Sequence, residues 1–331
     1  MSELDAYKKS KINKNKQIFN DSIARLYSTL QNNITIVQKS KLSTSGKKNQ
    51  INVLINQCKE NINLLRSNLD KSIISIQNFV PKKIEINNKK ALLIGINYTG
   101  TKNELYGCIN DVNSIKDRIT IQGFTDIRLL TDFTDNKPTR DNILEEFKNL
   151  LINSQAGDLL VFTYSGHGSY TVDRNNDETD GRDELIVASN LKGILDDELK
   201  SLIQKYLKSD VTLFALFDSC FSGSVLDLKY QYLDSLNYDK YTENQKQLDT
   251  PGNVIMISGC TDKQTSADAV FGGKPNGAMT WSLLEYLKQN ADCSWRELVI
   301  NMRNLLKSSK FDQIPQLSCG NFIDIDKKIF I

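Results

Sequence analysis

The run Leu159-Leu160-Val161-Phe162-Thr163-Tyr164-Ser165-Gly166-His167-Gly168 ends an apolar stretch in a small-residue turn that holds the only histidine of the chain. The same layout returns around a cysteine at Val211-Thr212-Leu213-Phe214-Ala215-Leu216-Phe217-Asp218-Ser219-Cys220-Phe221-Ser222-Gly223. Short continuous apolar runs bounded by turn residues read as buried strands. Each delivers one reactive side chain at its carboxyl end, the edge at which open α/β sheets bind ligands. A cysteine and a histidine brought there together point to a thiolate nucleophile with its base.

Outward from these two runs the pattern alternates. Strands are expected at 91–97, 125–131, 158–164, 185–189, 211–217 and 253–258, and helices at 107–121, 138–152, 196–207, 277–289 and 295–307. This rhythm predicts an α/β fold: a mostly parallel β-sheet with helices on both faces. The polar, tyrosine-bearing stretch 230–251 reads as a flexible linker.

The amino-terminal region is different. Residues 1–16 are rich in Lys and Asn and are expected to be disordered. Apolar residues then recur at 19, 23, 26, 30, 34 and 37, and again at 51, 55, 58, 62, 65, 69, 73 and 76. That spacing is helical and close to heptad. With the turn composition of 40–48 between the two runs, it predicts an antiparallel helical hairpin. The domains expected are a helical extension with its connector at 1–88 and a catalytic domain at 89–331. The latter divides into 89–228, a linker at 229–251, and 252–331.

Composition narrows the function classes. The 331 residues are 39% hydrophobic and 25% charged, enough to bury a full core. No apolar run is long enough to span a bilayer, and the polar start lacks a signal-peptide pattern. The cysteines at 58, 108, 220, 260, 293 and 319 form no C-x-x-C pair. They read as reduced thiols of a cytoplasmic protein with no membrane partner, and one histidine argues against zinc. Residues 1–90 carry 17 Lys+Arg against 6 Asp+Glu, and the remainder 25 against 34. A basic arm is thus joined to an acidic body, to which it can dock. Charge alone is a weak pointer to nucleic acid, and no nucleic-acid partner is expected.

A free thiol titrates near about pH 8.5 and needs a base to react at neutral pH; histidine, near about 6.5, is the natural partner. His167 and Cys220 are therefore the candidate dyad. Gly168 N–H and Cys220 N–H are the candidate oxyanion donors, because glycine lets the backbone approach closely. The acidic stretch 173–184 places Asp, Asn, Asp and Glu at EF-hand positions, but Glu178 replaces the required glycine, so it is not an EF-hand.

The boxes Tyr164-Ser165-Gly166-His167-Gly168 and Asp218-Ser219-Cys220-Phe221-Ser222-Gly223 resemble the catalytic boxes of metacaspases, which are caspase-fold cysteine proteases. Gly107-Cys108-Ile109-Asn110-Asp111, Asp196-Asp197-Glu198-Leu199, Ser258-Gly259-Cys260-Thr261-Asp262, Gly277-Ala278-Met279 and Pro315-Gln316-Leu317-Ser318 follow in family order. The similarity runs from about residue 91 to the C-terminus, in a type I-like layout. It implies a caspase-like fold and cleavage of protein or peptide substrates after Arg or Lys. Asp111, Ser165 and Asp218 match the family's S1 pocket, and two carboxylates there would pair with a basic side chain. It further implies Ca²⁺ as cofactor, held by Asp183, Asp196, Asp197 and Asp227. Lys229, Lys240 and Lys246, with Lys82, Lys83, Lys89 and Lys90, offer sites for self-cleavage of a zymogen. A monomer is expected, its amino-terminal arm docking on the catalytic cleft or a partner. The rival reading is a caspase-fold pseudoprotease acting as a binding scaffold.

Overall fold

The heptad-like spacing of the amino-terminal region produces two long helices, α1 (Glu3–Lys39) and α2 (Thr44–Asn78). The computed structural model describes residues 3–79, 86–172, 182–219, 225–234, 237–244, 246–259, 268–271 and 273–329. Its chain divides into two compact units, Met1–Lys82 and Lys83–Ile331. In the first, every apolar position anticipated by the periodicity is at least partly covered, and Val37 and Cys58 are fully buried. The helices run antiparallel: Lys8 Nζ donates to the Gln77 carbonyl at 2.7 Å, and Lys47 Nζ to the Gln38 carbonyl at 2.8 Å. Ser43 starts α2 by accepting the Gly46 N–H. Residues 3–16 depart from the expectation of disorder. They form the first turns of α1, where Asn15 Nδ2 donates to Ser72 Oγ at 2.5 Å, so pairing with α2 outweighs their polar composition.

The second unit begins with β1 (Lys89–Gly95), α3 (Cys108–Ile121), β2 (Asp126–Thr131), α4 (Arg140–Ile152) and β3 (Leu159–Ser165). There follow β4 (Gly168–Val172), β5 (Arg182–Val187), β6 (Gly193–Leu195), α5 (Asp196–Tyr206) and β7 (Thr212–Asp218). After these come β8 (Tyr230–Asp234), β9 (Asn237–Glu243), β10 (Asn253–Ser258), β11 (Asp268–Phe271) and β12 (Lys274–Gly277). The unit closes with α6 (Ala278–Leu287), α7 (Trp295–Ser308) and β13 (Gln316–Cys319). The main sheet has the order β2-β1-β3-β7-β10-β13-β8-β9. Its β2-β1-β3-β7-β10 portion is parallel, and β13, β8 and β9 add antiparallel.

Alternation along each strand sends side chains to opposite faces. Leu92, Ile94, Leu160, Phe162, Leu213 and Phe217 join Ile143 and Phe147 of α4 and Leu199 and Ile203 of α5 in one core. Val161, Phe214 and Leu216 face Ile115 and Ile119 of α3 and Leu283 and Leu287 of α6, and Trp295 of α7 packs on Phe214. The sheet is therefore covered on both faces, as expected for a caspase-like α/β fold. No helix among the described residues is long and apolar enough to cross a membrane.

The stretch read as a flexible linker is a correction. It carries β8 and β9, which extend the sheet beyond β13. Tyr230 and Tyr232 are buried and form an aromatic cluster with Tyr241 and Phe322. The buried face of β8 is built from Tyr230 and Tyr232, so its period of two is hidden inside a polar composition.

Candidate active site

β3 and β7 lie side by side in parallel, with Ser165 opposite Asp218. Position 167 is two residues beyond one member of this pair and position 220 two residues beyond the other. The register thus brings both segments out of the same sheet edge. Cys220, including its N–H, lies outside the described residues; Ser219 just before it is fully buried.

His167 is half-buried, and its Nε2 lies 2.8 Å from the Asn103 carbonyl oxygen. A carbonyl only accepts, so Nε2 carries the proton and Nδ1 is left as the basic nitrogen. The Tyr98 ring packs against the imidazole with centroids 4.7 Å apart. The backbone is held as well. His167 N–H donates to the Tyr98 hydroxyl at 3.0 Å, and its carbonyl accepts from the Tyr164 hydroxyl at 2.7 Å and from Val187 N–H at 3.0 Å. The last bond makes Gly168 and Ile186 a non-hydrogen-bonded pair of the β4–β5 ladder, so Gly168 N–H is directed away from β5. Gly166 is required by this crowding, since a Cβ there would sit 2.6 Å from the Tyr164 hydroxyl.

Asp111, Ser165 and Asp218 are brought together. Asp111 is fully buried. It does not cap α3, whose N-cap is Gly107. Instead its carboxylate accepts the Gly277 N–H at 2.9 and 3.0 Å and the Ser165 hydroxyl at 2.8 Å. Buried Asp218 accepts the Thr280 N–H at 2.9 Å. The first turn of α6 and the end of β12 thus hold both carboxylates at the sheet edge that carries His167. Gly277 permits the convergence: a Cβ there would lie 2.1 Å from Asp218 Oδ2 and 2.9 Å from Asp111 Oδ2.

A second acidic group forms where β5 meets α5. Asp183, Asp196 and Asp197 each offer a carboxylate oxygen, all within 4.8 Å of one another. Asp196 accepts its ligand-like contacts from backbone, Glu184 N–H at 2.9 Å and Asp197 N–H at 2.7 Å. Burial, with the charge of Asp227 next, pushes the Asp196 carboxyl up to about 8. Asp227 is buried, has a left-handed backbone (φ 46°), and pairs with Lys200 Nζ at 3.2 Å. Crowded buried carboxylates with oxygen-only donors fit a hard divalent cation. The acidic loop at 173–181 lies outside the described residues.

Of the lysines considered for self-cleavage, Lys82 and Lys83 lie outside the described residues, as does the side chain of Lys240. Lys229 pairs with Asp249 at 2.8 Å. Lys89 and Lys90 are strand residues of β1 whose amines bond to the Gln122 and Asn153 carbonyls. Lys246 is exposed in a turn. Sequence reasoning did not find Tyr98, the Asn103 carbonyl, Gly277's spacing role or Lys200. Each acts through a partner distant in the chain or through backbone, which no local pattern marks.

A family profile described as "Metacaspase, peptidase C14 domain" matches residues 89–229. Metacaspase-1 of Debaryomyces hansenii is 36% identical over 73% of this chain, and Metacaspase-1 of Candida albicans 37% over 71%. Metacaspase-1A of Aspergillus fumigatus is 37% identical over 71%. The chain spans 67%, 66% and 70% of those proteins' lengths. The crystal structure of a Geobacter sulfurreducens protein superposes with a TM-score of 0.56 at 26% identity, covering 74% of this chain and 98% of its own. The profile runs across the very strands that deliver His167 and position 220, and the relatives extend the likeness to more than two thirds of the chain: this chain belongs to the metacaspase family of C14 cysteine peptidases.

Proposed function

We propose that the protein is an endopeptidase that cleaves after Arg or Lys through a Cys220–His167 dyad, under the control of Ca²⁺. The observation that carries the specificity is the pair of buried carboxylates, Asp111 and Asp218, meeting around Gly277 at the edge where His167 emerges. A guanidinium or ammonium entering there gains charge-assisted hydrogen bonds, and an acidic side chain is repelled.

In this reading Nδ1 of His167 takes the Cys220 thiol proton, and the thiolate attacks the scissile carbonyl. The oxyanion is met by the N–H groups of Gly168 and Cys220. His167 then gives its proton to the leaving amine. With His167 again as base, water hydrolyses the thioester. The Asn103 carbonyl supports both proton transfers by holding the imidazole in the Nε2–H tautomer.

Asp183, Asp196, Asp197 and Asp227 are the residues to hold Ca²⁺, whose charge would neutralise their mutual repulsion and order the adjoining loops. Lys200 already pairs with Asp227, so it competes with an arriving cation. Self-cleavage, where it occurs in the linker, is best supported at Lys246, because a protease needs an exposed, extensible segment. A monomer remains our reading; β8 pairs along β13 and β9 along β8, so a second copy would have to join at another edge, β9 or β2.

The test is hydrolysis of fluorogenic peptides with Arg, Lys or Asp at P1, in calcium and in chelator. Calcium-dependent cleavage of the basic peptides is expected. Preference for Asp would overturn the specificity. Absence of all cleavage by folded, calcium-supplied protein would favour the scaffold reading.

A further inference from the structure

We infer that Tyr98 is a positioning residue for His167, acting with Tyr164 as a buried two-phenol clamp that fixes both the backbone and the ring of the catalytic histidine. This rests on the dyad reading above and assigns a role within it that neither partner of the dyad supplies.

The two hydroxyls bond to the backbone of His167 and Val187. Each phenol has one proton to give. The Tyr98 hydroxyl gives its proton to the Val187 carbonyl at 2.6 Å and accepts the His167 N–H at 3.0 Å. The Tyr164 hydroxyl shares its one proton between the His167 carbonyl at 2.7 Å and the Val187 carbonyl at 2.8 Å, and accepts the Val187 N–H at 3.2 Å. The two oxygens are 3.0 Å apart. One tyrosine thus holds the N–H of His167 and the other holds its C=O. Phenylalanine would fill the same space, so packing alone does not explain two hydroxyls in an interior where unpaired polar groups are costly. Both are 1% exposed, and burial, the leading cause, raises both phenols far above their ordinary range. The clamp therefore stays protonated throughout the pH range in which a histidine works.

The segment that carries Tyr98 is itself staked. Tyr98 has a left-handed backbone (φ 52°), uncommon for an aromatic residue. Asp132 spans it from outside the turn, accepting Asn97 N–H at 2.7 Å and Thr99 N–H at 3.1 Å. Thr101 closes the turn on the Tyr98 carbonyl through both N–H and hydroxyl. The same loop presents the Asn103 carbonyl to His167 Nε2. One rigid loop thus sets the imidazole's plane through the Tyr98 ring and its tautomer through Asn103.

The experiment uses the full chain and exploits its single histidine: the imidazole NMR signals of ¹⁵N-histidine-labelled protein belong to His167 alone. Tyr98→Phe keeps the ring and removes the hydroxyl. It is expected to lower kcat about tenfold with KM within about twofold, the size of one lost catalytic hydrogen bond. It is also expected to broaden or split the imidazole resonances and shift the Nε2–H tautomer signal. Asp132→Asn, which leaves both phenols in place but loosens the turn, is expected to produce the same spectral change in weaker form, and serves should Tyr98→Phe fail to fold. Native kcat with an unchanged imidazole spectrum in Tyr98→Phe would overturn the inference, as would an unchanged spectrum in Asp132→Asn if that variant must stand in. His167→Ala is measured beside them. If it keeps full peptidase activity, the dyad reading itself fails, whereas the spectra report the clamp without needing activity.

Discussion

Asp111 and Asp218 arise on different elements, the first turn of α3 and the end of β7, yet their carboxylates converge on one small residue, Gly277. Both acids are buried and held by backbone N–H groups of a third segment, and the proposed recognition of a basic P1 side chain rests on this arrangement. Asp218→Asn should therefore lower kcat/KM for Arg substrates on the order of 10²-fold, the usual cost of removing one partner from a desolvated charge pair. Peptide kinetics check it; an unchanged kcat/KM for Arg with a folded variant would remove Asp218 from the pocket.

Gly277→Ala tests the spacing of the two carboxylates. The backbone there has φ −65° and ψ 135°, which alanine adopts readily. The new methyl collides with the Asp218 carboxylate, which is buried and held by the Thr280 N–H, and presses on Asp111. Basic-P1 cleavage should fall at least about tenfold, and stability by about 1–3 kcal/mol. A loss of stability with intact specificity would contradict the pocket's geometry.

Lys200 sits one turn beyond Asp196 on α5 and holds Asp227. Lys200→Met should raise affinity for calcium about tenfold, equivalent to about 1.4 kcal/mol, as read by titration calorimetry. Asp227→Asn should weaken it. Equal affinity in wild type and Lys200→Met would show that the lysine does not compete; heatless titrations of both would remove the calcium reading.

Asp158 ties the start of the sheet together, accepting from Asn88 Nδ2 at 2.8 Å and Gln155 N–H at 2.9 Å while pairing with Lys90 at 2.9 Å. Burial alone would raise its carboxyl, but the bonds from Asn88, Gln155 and Lys90 together prevail and hold it below the ordinary carboxylate range. A depressed acid stabilises the fold above its unfolded pKa of about 4 and loses that contribution as pH falls through the lower folded value. Asp158→Asn should cost about 1–3 kcal/mol at pH 7. The gap from wild type should close in acid. Denaturant unfolding at both pH values checks this; a gap independent of pH would contradict it.

The two strands that decide the fold were legible because both are continuous apolar runs ending in Gly and Ser, and the amino-terminal hairpin because its spacing is close to heptad. Strand order and the Ser165–Asp218 register follow from long-range pairing and are not written locally. β8 escaped because tyrosine supplies its buried face. Within the site, His167 stands out as a lone histidine after an apolar strand. Ser165 was found only through family resemblance, since its hydroxyl finds its meaning in Asp111 far away in sequence. Tyr98 and the Asn103 carbonyl were invisible because one acts through an unusual backbone turn and the other through backbone alone.

The Cys220–His167 dyad and its basic-P1 pocket are tested together by covalent labelling with a peptide electrophile bearing Arg at P1, in calcium, followed by mass mapping of the modified residue. One adduct is expected, on Cys220, and it is absent with the Asp-P1 electrophile, in chelator and in His167→Ala. An adduct on another cysteine, or equal labelling by the Asp-P1 reagent, would contradict this assignment.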